Sequence, residues 1–380
     1  MIEQSLKINI LGDICLTDTT RNTVTKREPQ HLFNGLHEIL VNADFNIGNL
    51  EAPVPDQKHT PILKTGPALK NDSNLLSILS KTKFKAIGLA NNHIRDYGND
   101  AVVNTIDELE KLNIKTFGAG PNKIEAKKPC FVQIGGVTIG LMAFAEHEFN
   151  LAGKNVAGAN GFDSFESFNE IEEFKTKCDY LVILFHGGVE YHKYPSPLLQ
   201  KRCRKMVLSG ANLILCQHSH CIGAMETYKE GTIVYGQGNS VFGYKDNHPT
   251  WNEGLVIELV VTKSTIKLNY IPIKALPCGA IDLMNEFETK ECLKEFHNRS
   301  KKCSNIKFLE GQWLEFCNSK KSMYLGHLFG FNRYLMFINR KLNNKIIDTL
   351  FTKRQKRITQ NLLRCESHHE VLKTIFKNEE

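Results

Sequence analysis

The stretch Gly88-Leu89-Ala90-Asn91-Asn92-His93-Ile94-Arg95-Asp96-Tyr97-Gly98 decides how this chain reads. An apolar run, Ala86 to Leu89, enters it as a strand, and a helix-like segment from Asn99 to Leu112 leaves it. Its polar residues therefore fall on a strand-to-helix turn, the place where open α/β sheets bind ligands. The Asn92 carbonyl is a hard donor for a divalent cation, the His93 imidazole gives or takes a proton near neutral pH, and Asp96 can orient that ring. The competing reading of the same residues is an Asn-rich turn closed by a capping Asp.

The pattern recurs on both sides. Lys7 to Leu11 is a short strand ending at Gly12-Asp13, and Asp44 to Gly48 is another, ending in Asn49-Leu50-Glu51, with Pro53 halting the sheet just after the carboxylate. Tyr180 to Phe185 reads as a buried strand that ends in His186-Gly187-Gly188-Val189-Glu190-Tyr191. Ala211 to Cys216 reads likewise and ends in Gln217-His218-Ser219-His220. Helices are expected at 72–81, 99–112, 167–177 and 197–209. A hairpin is expected at 130–145, turning at Gly135-Gly136, with further strands at 232–235, 238–242, 255–261 and 265–273. Residues 54–67 form a Pro-rich loop able to border a substrate.

In a mostly parallel sheet, Asp13, Glu51, Asn92 with His93, His186, and His218 with His220 gather at one carboxyl edge. Singly, a His after a strand is an ordinary structural residue. Together these carboxylates, imidazoles and one amide suit Mn, Fe or Zn, and two such ions about 3.5 to 4 Å apart can clamp an attacking and a leaving oxygen. Glu51 is the natural bridge, because one carboxylate can serve two cations.

At 380 residues the chain can hold one large domain with an appendage, or two domains. Its 41% hydrophobic, 9% aromatic and 23% charged residues are ordinary for a globular protein, and no apolar run approaches the length of a membrane span. Met1 to Lys7 lacks the basic start and apolar core of a secretory signal, so a cytoplasmic location is expected. The eleven cysteines are scattered, odd in number and free of any CxxC, which favours reduced core thiols over disulfides or a zinc knuckle.

Residues 281–380 carry 19 Lys+Arg against 12 Asp+Glu, which accounts for the whole net charge of +7. The sheet region is balanced, so a nucleic-acid groove there is not expected. From Ala275 the texture turns rich in Lys, Phe and Leu, giving an expected domain at 1–275 and a basic region at 276–380, helical to its end. There the apolar Tyr324 to Ile338 is followed by Arg340-Lys341 and Lys353-Arg354-Gln355-Lys356-Arg357. That combination suits an anionic membrane surface, making the chain membrane-associated, or a partner such as a synthase; a helical cap with a solvated basic face is the plainer reading.

The ordered set Gly12-Asp13, Asn49-Leu50-Glu51, Ala90-Asn91-Asn92-His93 with Asp96 and Gly98, His186 to Tyr191, His218-Ser219-His220 and Gly238-Asn239 resembles one known family. This is the CapA (PgsA-like) capsule-synthesis family, a branch of the calcineurin-like metallophosphoesterases, and the likeness runs over about residues 6–273. It implies an α/β fold of the αββα sandwich type and a metal-dependent hydrolase of phosphoesters or phosphodiesters. Its place would be capsule, exopolysaccharide or poly-γ-glutamate assembly, on a phosphorylated or polymeric substrate. The alternatives are a non-catalytic assembly factor of a synthase complex and, third, a nuclease-type phosphodiesterase. The resemblance further implies Asp13 on a first metal, Glu51 between two, Asn92, His186 and His218 on the second, and His220 returning to the first. His93 would be the general acid, with Asp96 holding its ring. Asn49, Glu190, Tyr191 and Asn239 are the expected substrate contacts, although Glu190 and Tyr191 suit an ordered loop anchor equally. Cys15 stands where the wider superfamily has a His, leaving either a thiolate ligand or a buried inert thiol. Gly187 stands where Trp is common, and Cys216-Gln217 replace Gly-His.

Overall fold

The first strand, β1 (Leu6–Ile14), is buried from Ile8 onward, as a strand covered on both faces requires. After it come α1 (Asp18–Val24), α2 (Pro29–Phe33), α3 (Leu36–Asn42), β2 (Phe45–Leu50), α4 (Ser73–Lys81), β3 (Phe84–Gly88), α5 (Gly98–Lys111) and β4 (Lys115–Phe117). These four strands lie parallel in the order β1-β2-β3-β4, the arrangement that helical crossovers produce. Helix α4 begins where Asp72 accepts from the amide N–H groups of Asn74 and Leu75. The structure is a computed structural model, and it describes residues 5–25, 28–262 and 265–377.

Next in the chain are β5 (Ala119–Gly120), α6 (Lys123–Ala126), β6 (Cys130–Ile134), β7 (Val137–Ala145), β8 (Gly158–Ala159), α7 (Ser167–Lys175), β9 (Tyr180–His186), α8 (Pro197–Leu208), β10 (Leu213–Gln217), β11 (Met225–Tyr228) and β12 (Gly231–Val234). The larger sheet among them runs β11-β12-β10-β9-β7-β6, with parallel inner strands and antiparallel edges. Gly135 and Gly136 turn the β6–β7 hairpin with φ of 58° and 82°, the left-handed pair that a two-residue hairpin loop demands. The chain then returns to the first sheet. There β13 (Asn239–Val241) pairs with the end of β1, and β14 (Glu253–Val261), β15 (Ile266–Ala275) and β16 (Ile281–Leu283) extend the other edge.

The two sheets stack. Ile10, Ile47 and Ala86 of the first share a core with Leu141, Val182 and Leu184 of the second. The outer face of the second sheet, with Ile183 and Phe185, packs on Ile171 of α7 and on Cys203 and Met206 of α8. On the outer face of the first sheet, Asn46 donates to the carbonyls of Leu40 at the end of α3 and Thr82 after α4 (2.9 and 2.6 Å). The result is the αββα layering that the family resemblance implies. The residues expected on one sheet edge are accordingly divided between two sheets that face each other.

The region beyond residue 275, expected to be helical throughout, first supplies β16, which pairs with β15 through Ile273, Lys274 and Ala275. It then supplies α9 (Glu286–Lys302), capped by Asn285, whose Phe296 is buried in the shared core. For that reason the first compact unit extends to Glu310, and Gly311–Glu380 form a second. Helices α10 (Ile306–Leu328), α11 (Arg333–Lys341), α12 (Lys345–Leu350), α13 (Lys353–Arg364) and α14 (Glu366–Lys377) complete the chain.

Gly118 marks a close approach of the layers: its φ is 83°, and a Cβ there would stand 2.6 Å from the Ala143 Cβ and 2.9 Å from that of Ala90. Gly118→Ala is therefore expected to lower stability by about 2–4 kcal/mol, the sum of overpacking and a left-handed alanine, measurable by urea unfolding. An unchanged urea midpoint would mean the sheets are less closely apposed.

Candidate metal centre

Strand register brings the acidic side chains together. Asp13 sits at the bulged end of β1, directly between Asn49 of β2 and Asn239 of β13, and Glu51 follows β2 at once. From the facing sheet, His186 ends β9 beside Gln217 at the end of β10, and the chain runs on into His218 and His220. One ligand atom from each of Asp13, Glu51 and His220 lies within 4.8 Å of the others, and the same holds for Glu51, His186 and His218. Asn92 joins the second group, its Oδ1 standing 3.0 Å from His186 Nε2.

These donors are held from behind. Asn49 Nδ2 donates to Asp13 Oδ1 (2.8 Å), and the His218 backbone N–H donates to Asp13 Oδ2 (2.9 Å). Asn239 Oδ1 engages His220 Nδ1 (2.8 Å) while its Nδ2 donates to the Trp251 carbonyl (2.9 Å), which turns His220 Nε2 away from that contact. Glu148 accepts from Asn92 Nδ2 at 3.4 Å, orienting the amide oxygen inward. Ala52, His218 and His220 have φ of 100°, 79° and 50°, strained values for residues with a side chain, and all three flank or belong to the donor set.

The electrostatics suit a cation. Burial is the main force raising the Glu51 carboxyl well above its usual range, and the Asp13 charge adds to it. Asp13 is also raised by burial, against the pull of its hydrogen bonds from His218 and Asn49. Burial drives His186 well below the normal imidazole value and His220 down to about 3, so both are neutral at physiological pH with lone pairs available to a metal. Both Glu51 carboxylate oxygens are buried without a hydrogen-bond partner, as is His218 Nδ1. A buried acid with two unpartnered oxygens, next to a second acid and three imidazoles, is the donor chemistry of a divalent metal site.

His93 and Asp96 are brought together too. His93 Nδ1 lies 2.7 Å from Asp96 Oδ2, and its Nε2 faces Glu51 Oε1 at 4.0 Å. With Nδ1 donating to Asp96, Nε2 is the nitrogen presented to the pocket. Lys64, a residue the sequence did not single out, pairs with Asp96 Oδ1, and its Nζ stands 3.1 Å from His93 Nδ1. The Pro-rich loop that carries Lys64 is bonded to the turn through the Ile62 N–H, which donates to the Asp96 carbonyl (2.9 Å), and just past the loop Asp96 Oδ2 accepts from the Leu69 N–H (2.7 Å).

Asn49 and Asn239 are buried behind the donors, with their amides engaged to Asp13 and His220. Tyr191 does stand at the mouth, 40% exposed, with its ring 6.4 Å from that of His220. Its backbone N–H also donates to the Ser219 carbonyl, an anchoring contact. Glu190 is exposed, and its charge contributes to the upward shift of Glu51. Cys15 packs with Ala52, Phe242 and Trp251, bonds the Leu16 carbonyl, and is kept protonated by burial, which makes it an inert thiol. Glu146, at the end of the β7 strand, accepts from the Gly188 N–H (3.0 Å) and pairs with Arg202 (2.6 Å), fixing the turn after His186.

Residues 7–244 match the family described as bacterial capsule synthesis protein PGA_cap. Over 247 residues the chain is 27% identical to the capsule biosynthesis protein CapA of Bacillus anthracis, covering 63% of this chain and 60% of that one. Over 240 residues it is 29% identical to the PGA biosynthesis protein CapA of Bacillus subtilis (strain 168), covering 62% and 63%. The matched part thus spans less than two thirds of either relative's length. A solved structure described as a novel phosphatase from Mycoplasma pneumoniae aligns over 72% of this chain and 95% of its own, at 14% identity and a TM-score of 0.45.

Because the Glu51 carboxyl is raised on folding, it contributes stability to the metal-free protein that is present at acid pH and is lost as pH rises through its folded value. Metal-free Glu51→Gln should therefore melt above the metal-free parent at pH about 8, with the difference vanishing below about pH 4.5. Mn or Zn at about 100 times its Kd should reverse the order by stabilising the parent by about 2.7 kcal/mol. A parent that out-melts Glu51→Gln at alkaline pH without metal would contradict this account of the pocket.

Proposed function

This chain belongs to the bacterial capsule synthesis protein PGA_cap family, and from that premise we propose that it is a metal-dependent hydrolase of phosphoesters or phosphodiesters working in capsule, exopolysaccharide or poly-γ-glutamate assembly. The observation that carries the proposal is the Glu51 carboxylate, buried with neither oxygen partnered between two groups of donors. Asp13, Glu51 and His220 would hold one divalent ion, and Glu51, Asn92, His186 and His218 the other. When bound, such a pair supplies Lewis-acid activation and neutralises charge at a phosphoryl centre.

The protein's own residues supply the remainder. His93 Nε2, presented to the pocket by the Nδ1 contact to Asp96, delivers a proton to the departing oxygen. Asp96 keeps the ring oriented, while Lys64 shares the same buried carboxylate. Tyr191 lines the mouth and meets the substrate beyond its scissile group.

With Mn or Zn restored, the protein should hydrolyse p-nitrophenyl phosphate or bis(p-nitrophenyl) phosphate. His93→Ala should lower kcat by about 10²–10⁴-fold with metal content unchanged. Equal turnover in His93→Ala would remove the assigned role, and a metal-loaded parent inert towards both esters would favour a non-catalytic assembly factor.

A further inference from the structure

The second compact unit is electrically unlike the first. From Gly311 to Glu380 there are 13 Lys+Arg against 6 Asp+Glu, so the chain's entire excess of +7 belongs to this unit and the remainder is neutral. We propose that this unit is a peripheral module that lies on an anionic lipid surface.

Helix α11 shows why a lipid surface, and not water, is the fitting neighbour. Its polar Asn339 is fully buried, donating to Ser322 Oγ (3.1 Å) and Asn344 Oδ1 (3.0 Å) and accepting from the Ile347 N–H (3.2 Å). Four of its apolar residues face outward: Tyr334 is 64% exposed, Leu335 41%, Phe337 54% and Ile338 45%. That is the inverse of a water-facing helix. Arg333 and Arg340 border the same stripe and Lys341 lies within it beside Phe337, placing cations where headgroup phosphates would lie.

The hairpin of α13 and α14 repeats the arrangement. Ile358 and Leu362 occupy one side of α13 and Lys353, Arg357 and Arg364 the other, while Leu363 sits beside Lys356. Ile358 and Leu363 remain about half exposed, as do Val371, Ile375 and Phe376 of α14. Among the described residues no helix is long and apolar enough to cross a membrane, so these faces suit lying on a bilayer. A nucleic-acid ligand would use the basic side chains but leave aliphatic Ile338, Leu363 and Ile375 in water, whereas a lipid interface covers both kinds.

The test is co-sedimentation of the full chain with vesicles of phosphatidylcholine alone or with about 30% phosphatidylglycerol. The bound fraction should be at least about tenfold higher on the anionic vesicles and should fall when salt is raised from about 0.1 M to about 0.5 M. Two exposed pairs separate the contributions: Phe337→Ser with Ile338→Ser, and Lys356→Glu with Arg357→Glu. Each pair should lower anionic-vesicle binding about tenfold or more while leaving circular dichroism and aryl phosphoester hydrolysis at the parent's level. The proposal is overturned if the parent does not bind, if it binds neutral and anionic vesicles alike, or if only one pair matters. Loss through the charged pair alone would indicate a purely electrostatic polyanion site.

Discussion

Two carboxylates buried side by side are the constraint on which this structure depends. Asp13 is answered by the Asn49 amide and the His218 backbone N–H, but neither Glu51 oxygen has a hydrogen-bond partner. An uncompensated buried charge costs several kcal/mol, and the strained φ values at His218 and His220 that bring imidazoles towards it add about 1–3 kcal/mol each. The neighbouring His186 and His220 are held neutral by burial and so cannot answer Glu51 as cations. A divalent ion is the compensation we propose for this donor set, with the buried asparagines behind it bonded to the donors.

The αββα arrangement makes that convergence possible. Parallel strands end their side chains on a common edge, and stacking two such sheets sets acids from β1 and β2 against histidines from β9 and β10. Close apposition at Gly88 and Gly118, where a Cβ would meet Leu184 and Ala143, keeps the two edges within coordination distance. The His93–Asp96 pair arrives separately, on the turn after β3, and the Pro-rich loop and the residues just after it place Lys64 and the Leu69 N–H on Asp96.

Much of this was legible in the sequence, because period and strand-end chemistry are local properties. Asp13, Glu51, Asn92, His186, His218 and His220 each follow an apolar run, and His93 and Asp96 share one turn, so their common pocket could be read before any coordinates. What escaped depends on long-range pairing. Lys64 lies in a loop with no periodicity, and Glu148 and Trp251 reach Asn92 and Asn239 across 56 and 12 residues. Asn49 and Asn239 stand at strand ends like true ligands, and only the parallel register on either side of Asp13 reveals that they face other donors. The short β16 escaped because a three-residue strand is too brief to show a period.

The most direct measurement is an anomalous-scattering map from crystals of the full chain equilibrated with Mn. This account predicts peaks on either side of the Glu51 carboxylate, one within reach of Asp13 and His220 and one within reach of Asn92, His186 and His218. An empty pocket at saturating Mn, or Mn bound only at other residues while Glu51 stays bare, would contradict it.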